Sequence, residues 1–119
     1  MDDDGFETIY PEKDPTGKKL GEAGAKMDAG KEDLLTVMQA FPEALAAVSE
    51  IAEYGAEKKG YGWGAWKDVP DGEERYKRAC IRHIIKPGAD KESKLSHAAH
   101  AAWNALAVLS FEIKNKRAK

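Results

Sequence analysis

The stretch LSHAAHAAWNALAVLSF, residues 95–111, decides the fold class. It is the longest run in the chain without Asp, Glu, Lys or Arg. Its length falls short of the roughly 20 residues a membrane span needs, and His97, His100 and Asn104 interrupt its apolar character. At 100° per residue, Leu95, Ala102, Leu106, Leu109 and Ile113 share one helical face, with Ala101, Val108 and Phe111 on the other side. A helix that is apolar nearly all round is buried on both sides. His97, His100 and Asn104 fall within roughly 60° of one another on the second face. Polar groups placed there need partners, because an unpaired one costs about 1–3 kcal/mol.

Working outward, Ser93 is positioned to cap this helix after the loop PGADKE (87–92), and the helix should reach about Asn115. Before it, a helix from about Glu73 to Lys86 is stopped by Pro87-Gly88. Gly60 to Gly72 reads as a Gly- and Trp-containing loop, GYGWGAWKDVPDG. Pro42 suits a first helical position, and Pro42 to Lys59 shows helical spacing with Leu45, Val48, Ile51 and Ala52 on one face. No β-type alternation and no internal repeat appear. The expected class is all-α. Three helices are too few for a comfortable closed bundle, so oligomerisation should complete the core.

The 119 residues fit one domain. Residues 1–30 hold eight acids against four lysines, a net of -4 within a total of -2, and five of the 11 glycines. Without a sustained apolar period, residues 1–27 read as an acidic arm, partly flexible alone, and residues 28–119 as the folded domain. A balance of 19 basic to 21 acidic residues argues against nucleic acid as partner. The acidic opening Met1-Asp2-Asp3-Asp4 is unlike a secretory signal, and a lone Cys80 cannot form an internal disulfide, so a cytoplasmic protein without membrane attachment is expected.

Glu43, Glu50, Glu53 and Glu57 fall within an arc of roughly 80° on the first helix. Such a stripe is either a solvated face or a place where Mg²⁺ or Mn²⁺ relieves mutual repulsion of a few tenths of a kcal/mol per pair. It is also the obvious supply of partners for the His97–His100–Asn104 cluster, which is either a structural network or a metal and substrate site. Arg75, Arg78 and Arg82 form a basic stripe suited to phosphate, or a solvated face. Trp63 and Trp66 either stack on a base or close the edge of a core. His83, beside Arg82, is ambiguous in the same way. The chain lacks a G-x-x-x-x-G-K-[ST] loop, H-E-x-x-H, paired cysteines, a His-Asp dipeptide and a Nudix-type Glu-rich signature.

Taken in order, the segments PEALAAVSEIAEYGAEKKGYGWGAWKD, RYKRACIRHI and DKESKLSHAAHAAWNAL resemble the phage dATP/dGTP diphosphohydrolases. These are the MazZ-like branch of the MazG-like all-α NTP pyrophosphatases. Gly30-Lys31 ahead of Leu34-Leu35, Pro42 to Leu45, Glu53 to Ala56 with Lys59 and Tyr61, Trp66, and Arg82-His83 match the family pattern. So do Asp90, Glu92, Ser93, His97, His100 and Asn104. The resemblance covers about residues 28 to 112. Ala65 stands where the family usually has Asn, Lys94 where it usually has Gly, and Arg78 where an acid is common.

The resemblance implies a helical-bundle NTP pyrophosphatase acting as a homodimer or tetramer. It would convert a purine deoxynucleoside triphosphate to the monophosphate and pyrophosphate, dGTP before dATP or GTP, in phage nucleotide-pool remodelling for 2-aminoadenine genomes. Glu50 and Glu53 resemble the Glu-x-x-Glu metal motif of the superfamily and would be the catalytic residues holding Mg²⁺ or Mn²⁺. His97 and His100 would complete the coordination. Lys31, Lys59, Trp66, Arg82 and Asn104 would bind substrate, and the spacing leaves open whether Glu43, Glu57, Asp90 or Glu92 join them. The alternative is a non-catalytic α-helical nucleotide-binding or interaction protein with a degenerate site.

Overall fold

The computed structural model describes residues 12–117, and among these it is helical, with no strand. Four α-helices follow in order: α1 (Leu34–Ala40), α2 (Pro42–Glu53), α3 (Gly72–Ile84) and α4 (His97–Arg117). The all-α expectation holds. α1, however, lies in a stretch where no helix is expected from the sequence. It exists because Asp33 caps it, Oδ1 accepting the amide of Leu35 at 3.0 Å. It ends because Pro42 disfavours a helical conformation at the residue before it: Phe41 sits at φ -133, ψ 51, and α2 leaves at a bend of 100°.

α2 does not stop at Glu53. Its last turn widens into a π-helical turn, Tyr54–Lys58, in which the amide of Lys59 bonds the carbonyl of Tyr54 at 3.0 Å. Such turns redirect side chains and recur at functional sites. Here the widened turn brings Tyr54, Gly55 and Ala56 into the lining of a cleft. A 3-10 turn, Ala65–Asp68, follows in the Gly/Trp loop.

The main packing is α3 against α4, with α2 laid across α4. Small residues permit the close approach: Ala99, Ala101 and Ala107 are buried on α4, and Ile51 is the buried residue of α2. Beside them, Trp66, Tyr76, Trp103 and Phe111 form an aromatic cluster, mostly edge-to-face at centroid separations of 5.6–6.1 Å. Gly72, the first residue of α3, is pressed onto this cluster. A Cβ there would lie 2.4 Å from Cζ of Phe111.

Two expectations for α4 need correction. It is not buried on both sides, since Leu106 and Leu109 are 50% and 48% exposed. The buried stripe is the one carrying His97, Ala101 and Asn104, so the small and polar face meets α3 while the leucine face is left open. Nor does Ser93 cap the helix. Ser96 does, its Oγ accepting the amide of Ala99 at 3.2 Å. Ser93 belongs to a tight loop in which Ala89 bridges Ser96, the amide of Asp90 bonds the carbonyl of Leu95 and the amide of His97 bonds that of Gly88. In that loop Lys94 adopts φ 66, a conformation natural to glycine.

Of the acidic arm, residues 1–11 lie outside the described residues. From residue 12 the chain folds around Asp14, which is only 4% exposed. Its carboxylate accepts the amides of Thr16 and Lys26, each at 2.6 Å, and the Thr16 hydroxyl. The Thr16 hydrogen bond, followed by that from Lys26, holds its pKa down to about 2. The molecule is elongated, with a radius of gyration of 18.6 Å against about 13–14 Å for a compact domain of this length. α1 has no buried residue, and Leu34, Leu35, Val37, Met38 and Phe41 are all more than half exposed. Among the described residues no single helix is long and apolar enough to cross a membrane; the bent pair of α1 and α2 with its π turn meets the test by length and composition alone.

Candidate active site

A cleft of about 790 Å³ opens between the widened end of α2, the Gly/Trp loop, α3 and α4. Three kinds of side chain line it, each placed by a different part of the sequence. Tyr54 and Tyr61 from the π turn and the residues after it, Trp63 and Trp66 from the loop, and Tyr76 and Trp103 from α3 and α4 supply aromatic surface. Lys59, Arg75, Arg78 and Arg82 supply positive charge. His83, Asp90, Glu92, His100 and Asn104 supply polar groups at the α3–α4 end.

The polar end is closely knit. Nδ1 of His83 stands 2.9 Å from Nδ1 of His97, and the ring of His83 stacks on that of His100 at 4.6 Å and 13°. Nε2 of His100 is 2.7 Å from Oγ of Ser93, whose oxygen also accepts the amide of Leu95. Asp90 accepts the amide of Ser93 at 2.8 Å, and this hydrogen bond holds its carboxyl below the usual carboxylate range. Asn104 donates through Nδ2 to the carbonyl of His100 at 2.7 Å. Burial, then the neighbouring imidazoles His100 and His97, pushes the pKa of His83 down; burial does the same to His100. Both rings are therefore neutral at pH 7 and available as acceptors or metal ligands. His83, Asp90 and His97 offer ligand atoms that all lie within 4.8 Å of one another.

At the cleft edge, Lys59 pairs with Glu92 at 3.0 Å, and the Tyr54 hydroxyl donates to the same carboxylate at 3.3 Å. This ties the π turn to the α3–α4 loop. The hydrogen bond from Lys59 lowers the pKa of Glu92, and that same bond raises the pKa of Lys59, so the pair stays charged. The ammonium also lies 5.7 Å from the Tyr61 ring centroid.

Of the residues expected at a site, Lys59, Trp66, Arg82, His100 and Asn104 all line this cleft. His97 reaches it through His83. Glu50 and Glu53 do not line it: both are exposed, and their side chains make no hydrogen bond or ion pair among the described residues. The partners of the histidines come from α3 and the α3–α4 loop, whereas the Glu stripe of α2 was expected to supply them. Lys31 also stands apart, paired with Glu12 at 3.6 Å. Trp66 lines the cleft while its ring is engaged edge-on with Trp103 and Phe111, and Trp63, 62% exposed, presents the free indole. Asp90 and Glu92 join the cleft; Glu43 and Glu57 are exposed outside it. His83, Tyr54 and Tyr76 were not assigned to a site from sequence. His83 carries a signal in the Arg82-His83 pair and Tyr54 one in the Glu53 to Ala56 match, whereas Tyr76 is matched at no single position of the family pattern.

No curated protein and no solved structure matches the chain. Residues 21–119 match the family described as dATP/dGTP diphosphohydrolase, N-terminal. With that match over most of its length, the chain belongs to the dATP/dGTP diphosphohydrolase N-terminal family.

Proposed function

We propose that the cleft binds a purine deoxynucleoside triphosphate, dGTP in preference to dATP or GTP, and hydrolyses it to the monophosphate and pyrophosphate. One observation carries this reading beyond the family name: a single cleft brings Lys59, Arg75, Arg78 and Arg82 within reach of a ligand that also meets exposed aromatic rings. Arginine forks pair with phosphate oxygens, and the free face of Trp63 suits stacking by a purine. Asn104 is buried with Nδ2 already committed to His100, so its Oδ1 is the group left to accept a hydrogen bond from sugar or base.

A divalent cation, Mg²⁺ or Mn²⁺, supplies neutralisation of the triphosphate and a more acidic bound water. Mg²⁺ commonly binds through one or two carboxylates together with substrate phosphates. The cleft fits that description, since Asp90 and Glu92 both face it and the substrate would contribute further oxygens. Lys59 and the arginines would hold the phosphates, and the neutral His100, stacked on His83, would accept a proton from attacking water. Displacement of pyrophosphate then rests on positioning and charge stabilisation, without a covalent nucleophile.

Glu50 and Glu53 act as ligands in this reading only across an interface, where a second copy would cover the exposed faces of α1 and α4. The elongated shape and the uncovered leucines support such a homo-oligomer. Supply of dGMP for 2-aminoadenine synthesis in a phage-infected cell is the corresponding role.

The test is a nucleotide panel with Mg²⁺ and Mn²⁺. Pyrophosphate should be released from dGTP faster than from dATP or GTP, and Arg82→Ala should lower kcat/KM by about 10²-fold, of the order of losing one positioned charge. No release from any nucleotide, by protein that binds dGTP, would favour the non-catalytic binding protein.

A further inference from the structure

His83, Asp90 and His97 come from three different elements: the last turn of α3, the α3–α4 loop and the first residue of α4. Nothing in their sequence spacing brings them together; the fold does. Their ligand atoms lie within 4.8 Å of one another, and the two Nδ1 atoms are 2.9 Å apart. An ion about 2.1 Å from each of two imidazole nitrogens holds those nitrogens roughly 3.0–3.4 Å apart, for angles between octahedral and tetrahedral. The observed separation is within a few tenths of an ångström of that span.

Each donor is also oriented from behind. The amide of Ser93 holds Oδ2 of Asp90, His83 is braced by stacking on His100, and the backbone of His97 is anchored to Gly88. Such outer contacts fix ligand geometry before an ion arrives. His97 is buried, while His83 and Asp90 face the cleft.

We propose that His83, Asp90 and His97 form a binding site for one divalent transition-metal ion, with open coordination positions directed into the cleft. Two imidazoles and one carboxylate suit Mn²⁺, Co²⁺, Fe²⁺ or Zn²⁺, whereas Mg²⁺ and Ca²⁺ take oxygen ligands. Three protein ligands leave room for water or a substrate oxygen, as in catalytic and unlike closed structural sites. This ion is resident without nucleotide, in contrast to Mg²⁺ or Mn²⁺ arriving with a triphosphate. Its use in hydrolysis rests on the function proposed above; its binding does not.

The experiment is titration of Co²⁺ into the metal-free full chain, without nucleotide, read by visible absorption and calorimetry. One Co²⁺ per chain should bind, with d–d bands and no thiolate charge-transfer band. Zn²⁺ should displace it, and a hundredfold excess of Mg²⁺ should not. Asp90→Asn and His97→Gln should each weaken binding at least ~10-fold, the scale of losing even an outer contact, while Cys80→Ser leaves it unchanged. X-ray absorption of the Zn²⁺-loaded wild-type chain keeps the proposal testable if a variant fails to fold, and should show two imidazoles. Absence of stoichiometric Co²⁺ binding, equal competition by Mg²⁺, or fewer than two imidazoles would overturn it. Hydrolysis is assayed separately, so Co²⁺ binding without turnover would retain this site and remove the proposed reaction.

Discussion

Nδ1 of His83 on α3 lies 2.9 Å from Nδ1 of His97 on α4, close enough that one proton is shared between two rings. That contact joins the end of one helix to the start of the next, and it exists only while one ring donates and the other accepts. His97 is 8% exposed, so its partner cannot be replaced cheaply by water. In the metal-free chain, His97→Ala should cost about 1–3 kcal/mol, measured by chemical denaturation. A cost below about 0.5 kcal/mol, the scale of ordinary surface substitutions, would mean the pair carries no structural weight.

Gly72 offers a second test, of the aromatic cluster. A methyl group there would meet the Phe111 ring at 2.4–3.0 Å, and that ring is itself packed on Trp66 and Tyr76. Gly72→Ala should therefore destabilise by about 1–3 kcal/mol as the cluster shifts, despite alanine's better helix propensity. Pairing it with Phe111→Leu should recover part of the loss. An unchanged melting temperature in the single variant would show that Phe111 is free to move.

Much of this architecture is legible in the sequence. Pro42 and Pro87-Gly88 mark helix boundaries, and the 3.6-residue period places His97, His100 and Asn104 on one face. Periodicity gives an angle around one helix, not the identity of the neighbour that the face meets. The Glu stripe of α2 and the Arg82-His83 end of α3 were both available, and the fold sets α3 there, with Cys80 on the carbonyl of Ala101 and His83 on His97. Asp90 sits in an irregular loop, where no period applies. α1 escaped because its apolar residues have nothing to cover them within the chain, so its pattern has no partner face to imply. Ser93 looked like a cap because serine is favoured there, yet the loop hydrogen bonds claimed it and passed the cap to Ser96.

Lys94 shows the same loop from the side of backbone strain. It holds φ 66, where a side chain costs about 1 kcal/mol that glycine does not. Glycine also loses more entropy on folding, so the gain is partly offset. Lys94→Gly should stabilise by a few tenths to about 1 kcal/mol, read from the denaturation midpoint at unchanged slope. Destabilisation would indicate that the lysine side chain makes up for its backbone.

Acid should loosen the loop around Asp14 in a definite window. Its folded pKa is about 2, below the ordinary 3.8, because Thr16 and Lys26 donate to the ionised form. A depressed carboxyl contributes stability that is fully present above the unfolded value and is lost as pH falls through the folded one. The Asp14 carboxyl ¹³C resonance should therefore titrate near 2, and the Thr16 and Lys26 amides should shift with it. A midpoint near 3.8 would mean that these hydrogen bonds do not persist in solution.

The proposed hydrolysis rests on attack by water at the α-phosphorus of a deoxynucleoside triphosphate held in the cleft. Hydrolysis of dGTP in ¹⁸O-labelled water, with Mg²⁺ or Mn²⁺ and products resolved by mass spectrometry, tests it most directly. One ¹⁸O is expected in the dGMP and none in the pyrophosphate. Label in pyrophosphate, release of orthophosphate as the first product, or intact dGTP would contradict it.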